Sequence, residues 1–449
     1  MKSGLNEFLS PFRVIILSYI VAMLIFSVLL YLPISHQYGV EVTYIEALFT
    51  SVSAVSVTGL TTVNISETYG YVGLFFLAMA IQLGGIGIMT MGTFVWMLFR
   101  KKINLSTRML IMVDQNQYKI AGLVKLMRGI LGVALMIELI GAIVLGTHYL
   151  RYFDTAGQAY YQGTFASLSA FTNAGFDLTG ESLIPFANDY FVQFVTILLI
   201  FSGAIGFPVL LEVKEYLSKN NPHFTFSLFT KITTTTFFAV FVIGVIGIWA
   251  LEGGHYYIGL EWHQQLFYSL FNSATVRSAG LSVLDITDFN EATLLFMAAL
   301  MIIGASPSSA GGGIRTTTIG IIFLNVRSFA LGKDDVKVFG REIATEDRQK
   351  AFIVLSVFLV MLFVAVTLIV AFEAGNDISL IAIIFDAASA FGTCGLSMGI
   401  TPDLSIPSQC VLMVLMFIGR IGLVAFLFSI RRKERKSFYK YPVERVIIG

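Results

Sequence analysis

Apolar runs of membrane-spanning length recur along the chain at roughly 13–32, 71–99, 129–150, 190–211, 229–251, 293–331, 351–372 and 408–430. One helical crossing of a bilayer needs about 20 consecutive apolar residues, so eight spans are predicted. Inside each successive pair of spans lies a shorter, less apolar segment, at roughly 43–58, 160–174, 262–279 and 378–394, too short to cross as a full helix. The sixth run is interrupted by "GASPSSAGGGIR", Gly304 to Arg315. Gly, Ser and Pro are poor helix formers and an arginine is expensive in lipid, so this stretch must be shielded by protein or water. The run around it is longer than one crossing needs, which leaves residues for a break.

Placed in register, the four short segments read "FTSVSAVSVTGL" from Phe49, "FASLSAFTNAGF" from Phe165, "LFNSATVRSAGL" from Leu270 and "FDAASAFGTCGL" from Phe385. Each starts on a large apolar residue, continues through small or hydroxyl residues, and ends on a glycine followed by Leu or Phe. The glycines are Gly59, Gly175, Gly280 and Gly395, each somewhat over a hundred residues from the last. Fourfold self-similarity in step with the spans predicts four helix, half-helix, helix units (M1-P-M2), bounded at 1–102, 103–222, 223–345 and 346–449.

Composition settles the class. With 56% hydrophobic and 13% charged residues and a mean hydropathy of +0.81, the chain carries too little charge to cover a soluble protein of its length, and an all-α polytopic membrane protein is predicted. The first span is long for a signal-peptide core and is read as retained. Lysine and arginine orient the chain: of 29, only Arg151 and Arg277 fall in the connections holding the short segments. The opposite connections, rich in basic residues, and both termini, with "RRKERK" from Arg431, are therefore expected in the cytoplasm. The short segments enter from outside, where Asp177, Glu181, Asp189, Asp285, Asp288, Glu291, Glu373, Asp377 and Asp403 would form an acidic rim that concentrates cations.

A half-helix that ends at membrane depth leaves carbonyls without helical partners, and such backbone is tolerated only where protein buries it or it faces water. Four around one axis would present a ring of carbonyl oxygens able to replace a monovalent cation's hydration shell, with glycine supplying the positive φ of the turn. "GGIG" at Gly84 and "GVIG" at Gly244 are read instead as helix-packing glycines. A net charge of +1 gives no nucleic-acid surface. His36, His148, His223, His255 and His263 have no metal spacing, Cys394 and Cys410 form no CxxC pair, and neither a phosphate loop nor a GxSxG elbow occurs. An enzyme is not expected. An alternating-access cation carrier is the alternative to a channel-like pore; such carriers commonly use inverted repeats, and here all four keep one orientation.

The four segments, especially "TVRSAGL" from Thr275 and "SAFTNAGFDL" from Ser169, together with "SPSSAGGGIRTTT" from Ser306, resemble the Trk/Ktr/HKT superfamily of cation transporters, most of all its KtrB-type membrane subunit. The resemblance implies a single-chain pore of pseudo-fourfold symmetry in the cell's inner or plasma membrane, potassium uptake activated by sodium, homodimerisation, and a cytoplasmic KtrA-type ring that carries the regulatory nucleotide. No cofactor is expected in this chain. Carried over by position, main-chain carbonyls of Val57, Thr58 and Gly59; Asn173, Ala174 and Gly175; Ser278, Ala279 and Gly280; and Thr393, Cys394 and Gly395 would bind potassium as the selectivity filter. Glycine at the first key position, Gly59, goes with potassium preference. The loop of Gly304, Ala305, Ser306, Pro307, Ser308, Ser309, Ala310, Gly311, Gly312 and Gly313 would be the gate, with Arg420 beside it in the inner pore. Arg277 is expected to brace its pore helix, Glu138 to partner a buried donor, and Glu46 and Asp386 to hold pore helices.

Overall fold

The computed structural model describes residues 11–92, 105–114, 123–218 and 224–430, with isolated positions 442, 444 and 447. The basic run from Arg431, Arg100, Lys101, Lys102, Lys119, Lys219 and His223 lie outside the described residues, as do the first ten residues.

One pattern recurs four times: a long helix, a short buried helix, then an apolar helix that breaks. It begins with α1 (Pro11–Tyr31), α2 (Tyr44–Ser56), a single turn α3 (Ile65–Thr68) and α4 (Tyr71–Ile86), which resumes over 88–92. After α5 (Leu105–Asp114) come α6 (Leu123–Tyr149), α7 (Ala156–Thr172), α8 (Tyr190–Ala204) and α9 (Phe207–Leu217). The third set is α10 (Leu228–Glu252), α11 (Trp262–Thr275), α12 (Glu291–Ile302) and α13 (Thr316–Ala330). A two-residue hairpin, β1 (Lys337–Val338) with β2 (Arg341–Glu342), leads to α14 (Thr345–Phe372), α15 (Leu380–Gly392), α16 (Ile406–Ile421) and α17 (Leu423–Ile430).

The long helices α1, α6, α10 and α14 have 21, 27, 25 and 28 residues, enough to cross a hydrocarbon core of about 30 Å. Both their faces are apolar. In α1, Tyr19, Met23, Phe26 and Leu30 point inward while Leu17, Val21, Leu24, Ile25 and Val28 are exposed. A helix apolar all round with an uncovered face belongs in lipid. The centre of the molecule is built from the second halves of α2, α7, α11 and α15, whose Ser, Thr and Ala side chains are almost all buried.

The runs at 71–99, 190–211 and 408–430 are not the continuous spans their hydropathy predicts. Each breaks at one glycine: Gly87 (φ 100°, ψ 134°), Gly206 (φ 102°, ψ 130°) and Gly422 (φ 88°, ψ 140°). The α8–α9 pair bends by 104° and the α16–α17 pair by 97°. That combination of positive φ with extended ψ is essentially closed to residues carrying a Cβ. The break predicted at 304–315 is present and is the long version of the same feature.

Carboxylates latch three pairs of helix ends together. Glu252, the last residue of α10, accepts the Asn290 N–H at the start of α12 at 3.0 Å. Glu373, just past α14, accepts from Ser405 N–H (2.9 Å), Ser405 Oγ (2.6 Å) and Ser408 Oγ (2.5 Å) at the start of α16, and from Asn376 Nδ2 (2.6 Å). Asp189, the N-cap of α8, meets His148 Nε2 at 2.5 Å and Tyr152 Oη at 2.6 Å at the end of α6. Asp189 and Glu373, expected in a cation-attracting rim, are thus committed to joining helices.

Burial works to raise the Glu373 carboxyl, but its hydrogen bonds from Ser405, Ser408 and Asn376 outweigh it and hold the group at about 2, below its ordinary 4.5. A lowered folded-state value means the latch contributes fully above about 4.5 and is lost as pH falls towards about 2. Glu373→Gln should therefore lower the unfolding temperature by a few degrees at pH 7, with the gap to wild type closing as the pH is taken below 4.5. Scanning fluorimetry in lipid nanodiscs measures it, and equal unfolding temperatures at pH 7 would refute the latch.

Candidate functional site

Each short helix is capped where it starts and ends in a left-handed residue. Thr43 receives the Glu46 N–H while the Glu46 carboxylate accepts the Thr43 N–H at 2.8 Å. Thr155 and Ser379 cap α7 and α15 likewise, and Gln264 Oε1 accepts the Glu261 N–H at the start of α11. At the other ends φ is 58° at Val57, 57° at Asn173, 94° at Ser278 and 47° at Thr393. Two residues on, it is 96° at Gly59, 72° at Gly175, 70° at Gly280 and 97° at Gly395. Positive φ at a non-glycine residue costs about 1–3 kcal/mol and marks places where surroundings and function impose it. α11 departs from its siblings: it ends two residues early, with Val276 right-handed, and Ser278 takes the positive φ.

The four turns close into a ring. A Cβ on Gly59 would stand 2.6 Å from the Ala174 carbonyl oxygen, and one on Gly175 3.2 Å from that of Ala279. A Cβ on Gly280 would run into the Cys394 carbonyl oxygen, and one on Gly395 into that of Thr58. Each glycine therefore faces the carbonyl of the next segment, and the fourth returns to the first. The four glycines are half-buried while the residues on either side of each are buried, so it is at the glycines that the ring meets open space. Ser53 and Ser389 hold the turns by accepting the N–H of Gly59 and Gly395, each at 3.0 Å. Behind three of the turns, Gly84, Gly203 and Gly419 leave room for the carbonyls of Val55, Phe171 and Phe391.

On one side of the ring lies a vestibule of about 390 Å³ lined by Gly59, Thr62, Asn64, Gly175, Asp177 and Pro402. Asp177 Oδ2 is fixed there by the N–H groups of Thr179, Gly180 and Ser182 at 3.0, 2.8 and 3.1 Å. Asp386 accepts from Ser397 Oγ, Thr401 Oγ1 and Met398 N–H at 2.9, 2.7 and 3.1 Å, and so ties the chain leaving Gly395 back to α15. Glu46 and Asp386 each hold one of the short helices, as the sequence predicts.

Residues 304–314 pack against the other side. Except for half-buried Pro307 they are buried, and the broken helices supply their backbone partners. Ser306 N–H and Ala310 N–H donate to Ala204 and Gly203, each at 3.0 Å, and Phe207 N–H donates to Ser308 O at 2.8 Å, so the break at Gly206 is stitched to the loop. Gly313 N–H reaches Gly419 O at 3.2 Å. Arg420 donates to the carbonyls of Ala310 and Gly84, with Gly311 and Gly85 at 3.4 and 3.2 Å. One guanidinium thereby clamps the loop to the break in α4. Arg315 Nη1 donates to Gly311 O at 2.5 Å. Beyond the loop opens a cavity of about 720 Å³ bordered by Pro307, Gly313, Arg315, Ala351 and Gly422. The sequence of spaces is vestibule, ring, loop, cavity.

Arg277 finds no acid. It lies over the Phe237 ring, 3.7 Å from the centroid, and donates to the Phe237 carbonyl, bracing α11 against α10. Glu138 Oε2 accepts from Gln82 Nε2 at 3.0 Å. Among the described residues no group of His, Cys, Asp and Glu is arranged for a metal ion. Cys394 is buried and Cys410 exposed, both free.

The TrkH family, described as cation transport protein, matches residues 9–440. The chain belongs to the TrkH family. It is 51% identical to the Ktr system potassium uptake protein D of Bacillus subtilis over 450 residues, covering 100% of both chains. It is 32% identical to the Ktr system potassium uptake protein B of Vibrio alginolyticus, covering 97% of this chain and 94% of that one. Among solved structures, the potassium transporter TrkH from Vibrio parahaemolyticus superposes with a TM-score of 0.74 over 95% of this chain and 86% of that one, at 16% identity, a likeness of fold. This TrkH-family chain is thus a multi-pass membrane transport protein.

The sequence carried one further signal. "GGIG" at Gly84, "GAIG" at Gly203 and "GRIG" at Gly419 are copies of a single motif, G-x-I-G. Its first glycine backs a pore-helix carbonyl and its last is the break. The packing reading holds for Gly84, for Gly85, where a Cβ would stand 2.8 Å from Thr172 Cβ, and for Gly244, but not for Gly87, which is the break. Because nothing lies within 4 Å of a Cβ at Gly422, Gly422→Ala tests backbone conformation alone. It should cost about 1–3 kcal/mol, seen as a lower unfolding temperature and a reduced monodisperse yield; a variant as stable as wild type would show that the bend does not need glycine.

Proposed function

We propose that this chain takes up potassium across the cell membrane as a channel-like pore. The observation that carries the reading is the closed ring of four turns, in which each glycine faces the next segment's carbonyl. Potassium would enter through the vestibule, exchange water for main-chain oxygens of Val57, Thr58 and Gly59 and their counterparts in the other three repeats, and leave through the inner cavity, drawn by the membrane potential. The names of the Ktr relatives support potassium as the ion. In this reading the four helix, half-helix, helix units make eight spans with both termini in the cytoplasm, and the broken helices each count as one span. Sodium activation, a homodimer with one pore per protomer, and a cytoplasmic nucleotide-binding ring follow from the family and belong to the same proposal.

Residues 304–313 and Arg420 form the gate. The loop lies between the ring and the inner cavity and is held by backbone groups that the helix breaks leave available. Such bonds are individually modest, about 0.5–1.5 kcal/mol net each, so a set of them can be exchanged by a partner that pulls on the attached helices.

Complementation of a potassium-uptake-deficient bacterium tests the whole. The wild-type chain should restore growth at limiting potassium. Gly59→Ser puts a side chain where 2.6 Å separates a Cβ from Ala174 O at φ 96°; it should weaken potassium preference over sodium in competition uptake, and unchanged competition would remove Gly59 from the filter. Deleting Ser306 to Gly311 should raise flux and loosen control by a cytoplasmic partner, and normal transport with normal regulation would end the gate assignment.

A further inference from the structure

The loop and the ring touch at one buried point, and the contact is a chain of hydrogen bonds with a defined direction. Gly312 N–H, which can only donate, lies 2.8 Å from Thr393 Oγ1 and 3.3 Å from Ser278 Oγ. Thr393 Oγ1 and Ser278 Oγ are 3.1 Å apart. The Ser278 hydroxyl then lies 2.8 Å from the main-chain oxygen of Thr393, with the Gly392 oxygen farther off at 3.3 Å. The Ser278 hydrogen goes to its nearest acceptor, the Thr393 carbonyl, which leaves the Thr393 hydroxyl to donate to Ser278 Oγ. Both side chains are fully buried, so water does not compete.

The loop backbone is pressed against the same two hydroxyls. A Cβ on Gly311 would come within 2.5 Å of Ser278 Oγ, and one on Gly312 within 2.5 Å of Thr393 Oγ1. The two glycines are what allow the approach, and Ser278 is the residue carrying the third segment's positive φ of 94°.

We propose that the Ser278 and Thr393 hydroxyls relay the position of the loop to the filter, so that the seated loop weakens cation binding at the Thr393 carbonyl. With the loop seated, the Ser278 hydrogen occupies the Thr393 carbonyl. A cation there competes with that hydrogen and pushes the Ser278 hydroxyl towards the more distant Gly392 oxygen at 3.3 Å, a poorer acceptor. With the loop withdrawn, Thr393 loses its donor, space opens at both hydroxyls, and Ser278 can turn its hydrogen elsewhere. Opening the gate then also completes the inner end of the filter. The inference rests on reading these segments as a cation filter and adds the coupling between filter and loop.

Potassium uptake and rubidium and sodium competition in proteoliposomes test it. Thr393→Val keeps the shape but removes the nearer acceptor of Gly312 N–H, leaving Ser278 Oγ at 3.3 Å, and should raise flux roughly two- to tenfold, the range one neutral hydrogen bond supports. Ser278→Ala frees the Thr393 carbonyl while the loop keeps its bond to Thr393 Oγ1, and should lower the half-saturating potassium concentration over a similar range. Thr393→Ser keeps the hydroxyl and should keep the control by the loop. In a chain lacking Ser306 to Gly311 both effects should vanish. Equal effects with and without the loop would overturn the relay. So would no effect of either substitution in the intact chain, and in that case Gly59→Ser distinguishes the causes: altered ion competition leaves the filter standing, unaltered competition takes both down. Should Thr393→Val fail to fold, Ser278→Ala in the two backgrounds decides the matter by itself.

Discussion

Inside a membrane every backbone N–H and C=O needs a partner, and hydrocarbon offers none. This protein ends four short helices inside its core and breaks four apolar ones, so it must satisfy many such groups internally. It does so by letting the interruptions serve one another. The N–H groups of Ser306, Ala310 and Gly313 go to carbonyls at the breaks after α8 and α16, and Arg420 collects carbonyls from the break after α4 and from the loop. The pore-helix ends use Ser53 and Ser389 hydroxyls and tight turns. What remains half-exposed after this pairing is the glycine of each turn.

The same economy explains why the loop suits a barrier. A continuous helix there would keep its hydrogen bonds to itself and have nothing to exchange. The loop instead borrows partners from the second and fourth repeats, and Arg420 ties it to the first, so its position depends on the relative placement of all four. A small displacement of α9 or α17, each set at a steep angle to the helix before it, changes the partners on offer. The carboxylate latches of Asp189, Glu252 and Glu373 fasten long helix to broken helix.

The sequence made the four-unit plan and the location of the ring legible because both rest on periodicity and on glycine. Apolar runs report lipid exposure, and the repeated Gly59, Gly175, Gly280 and Gly395 mark a backbone geometry that few other residues adopt. The breaks at Gly87, Gly206 and Gly422 were hidden, since one glycine in an apolar run lowers hydropathy little and resembles a packing glycine. Their signal was the recurrence of G-x-I-G, visible only when the second halves of the repeats are aligned. The outer carboxylates misled for another reason: Asp189 and Glu373 look like free surface charge until the partners, distant in sequence, are known. Arg277 braces its short helix as expected, but the partner, the ring and carbonyl of Phe237, could not be named from the sequence. The Ser278 and Thr393 contact joins residues over a hundred positions apart, and no local pattern announces it.

The central claim is that the cation is bound by main-chain oxygens at the centre of the ring. Anomalous diffraction from crystals grown in thallium, a monovalent stand-in for potassium, tests it most directly. The account predicts a peak equidistant from Gly59, Gly175, Gly280 and Gly395, on the axis between vestibule and loop. A peak away from that axis, on a buried carboxylate such as Glu138 or Asp386, would contradict it.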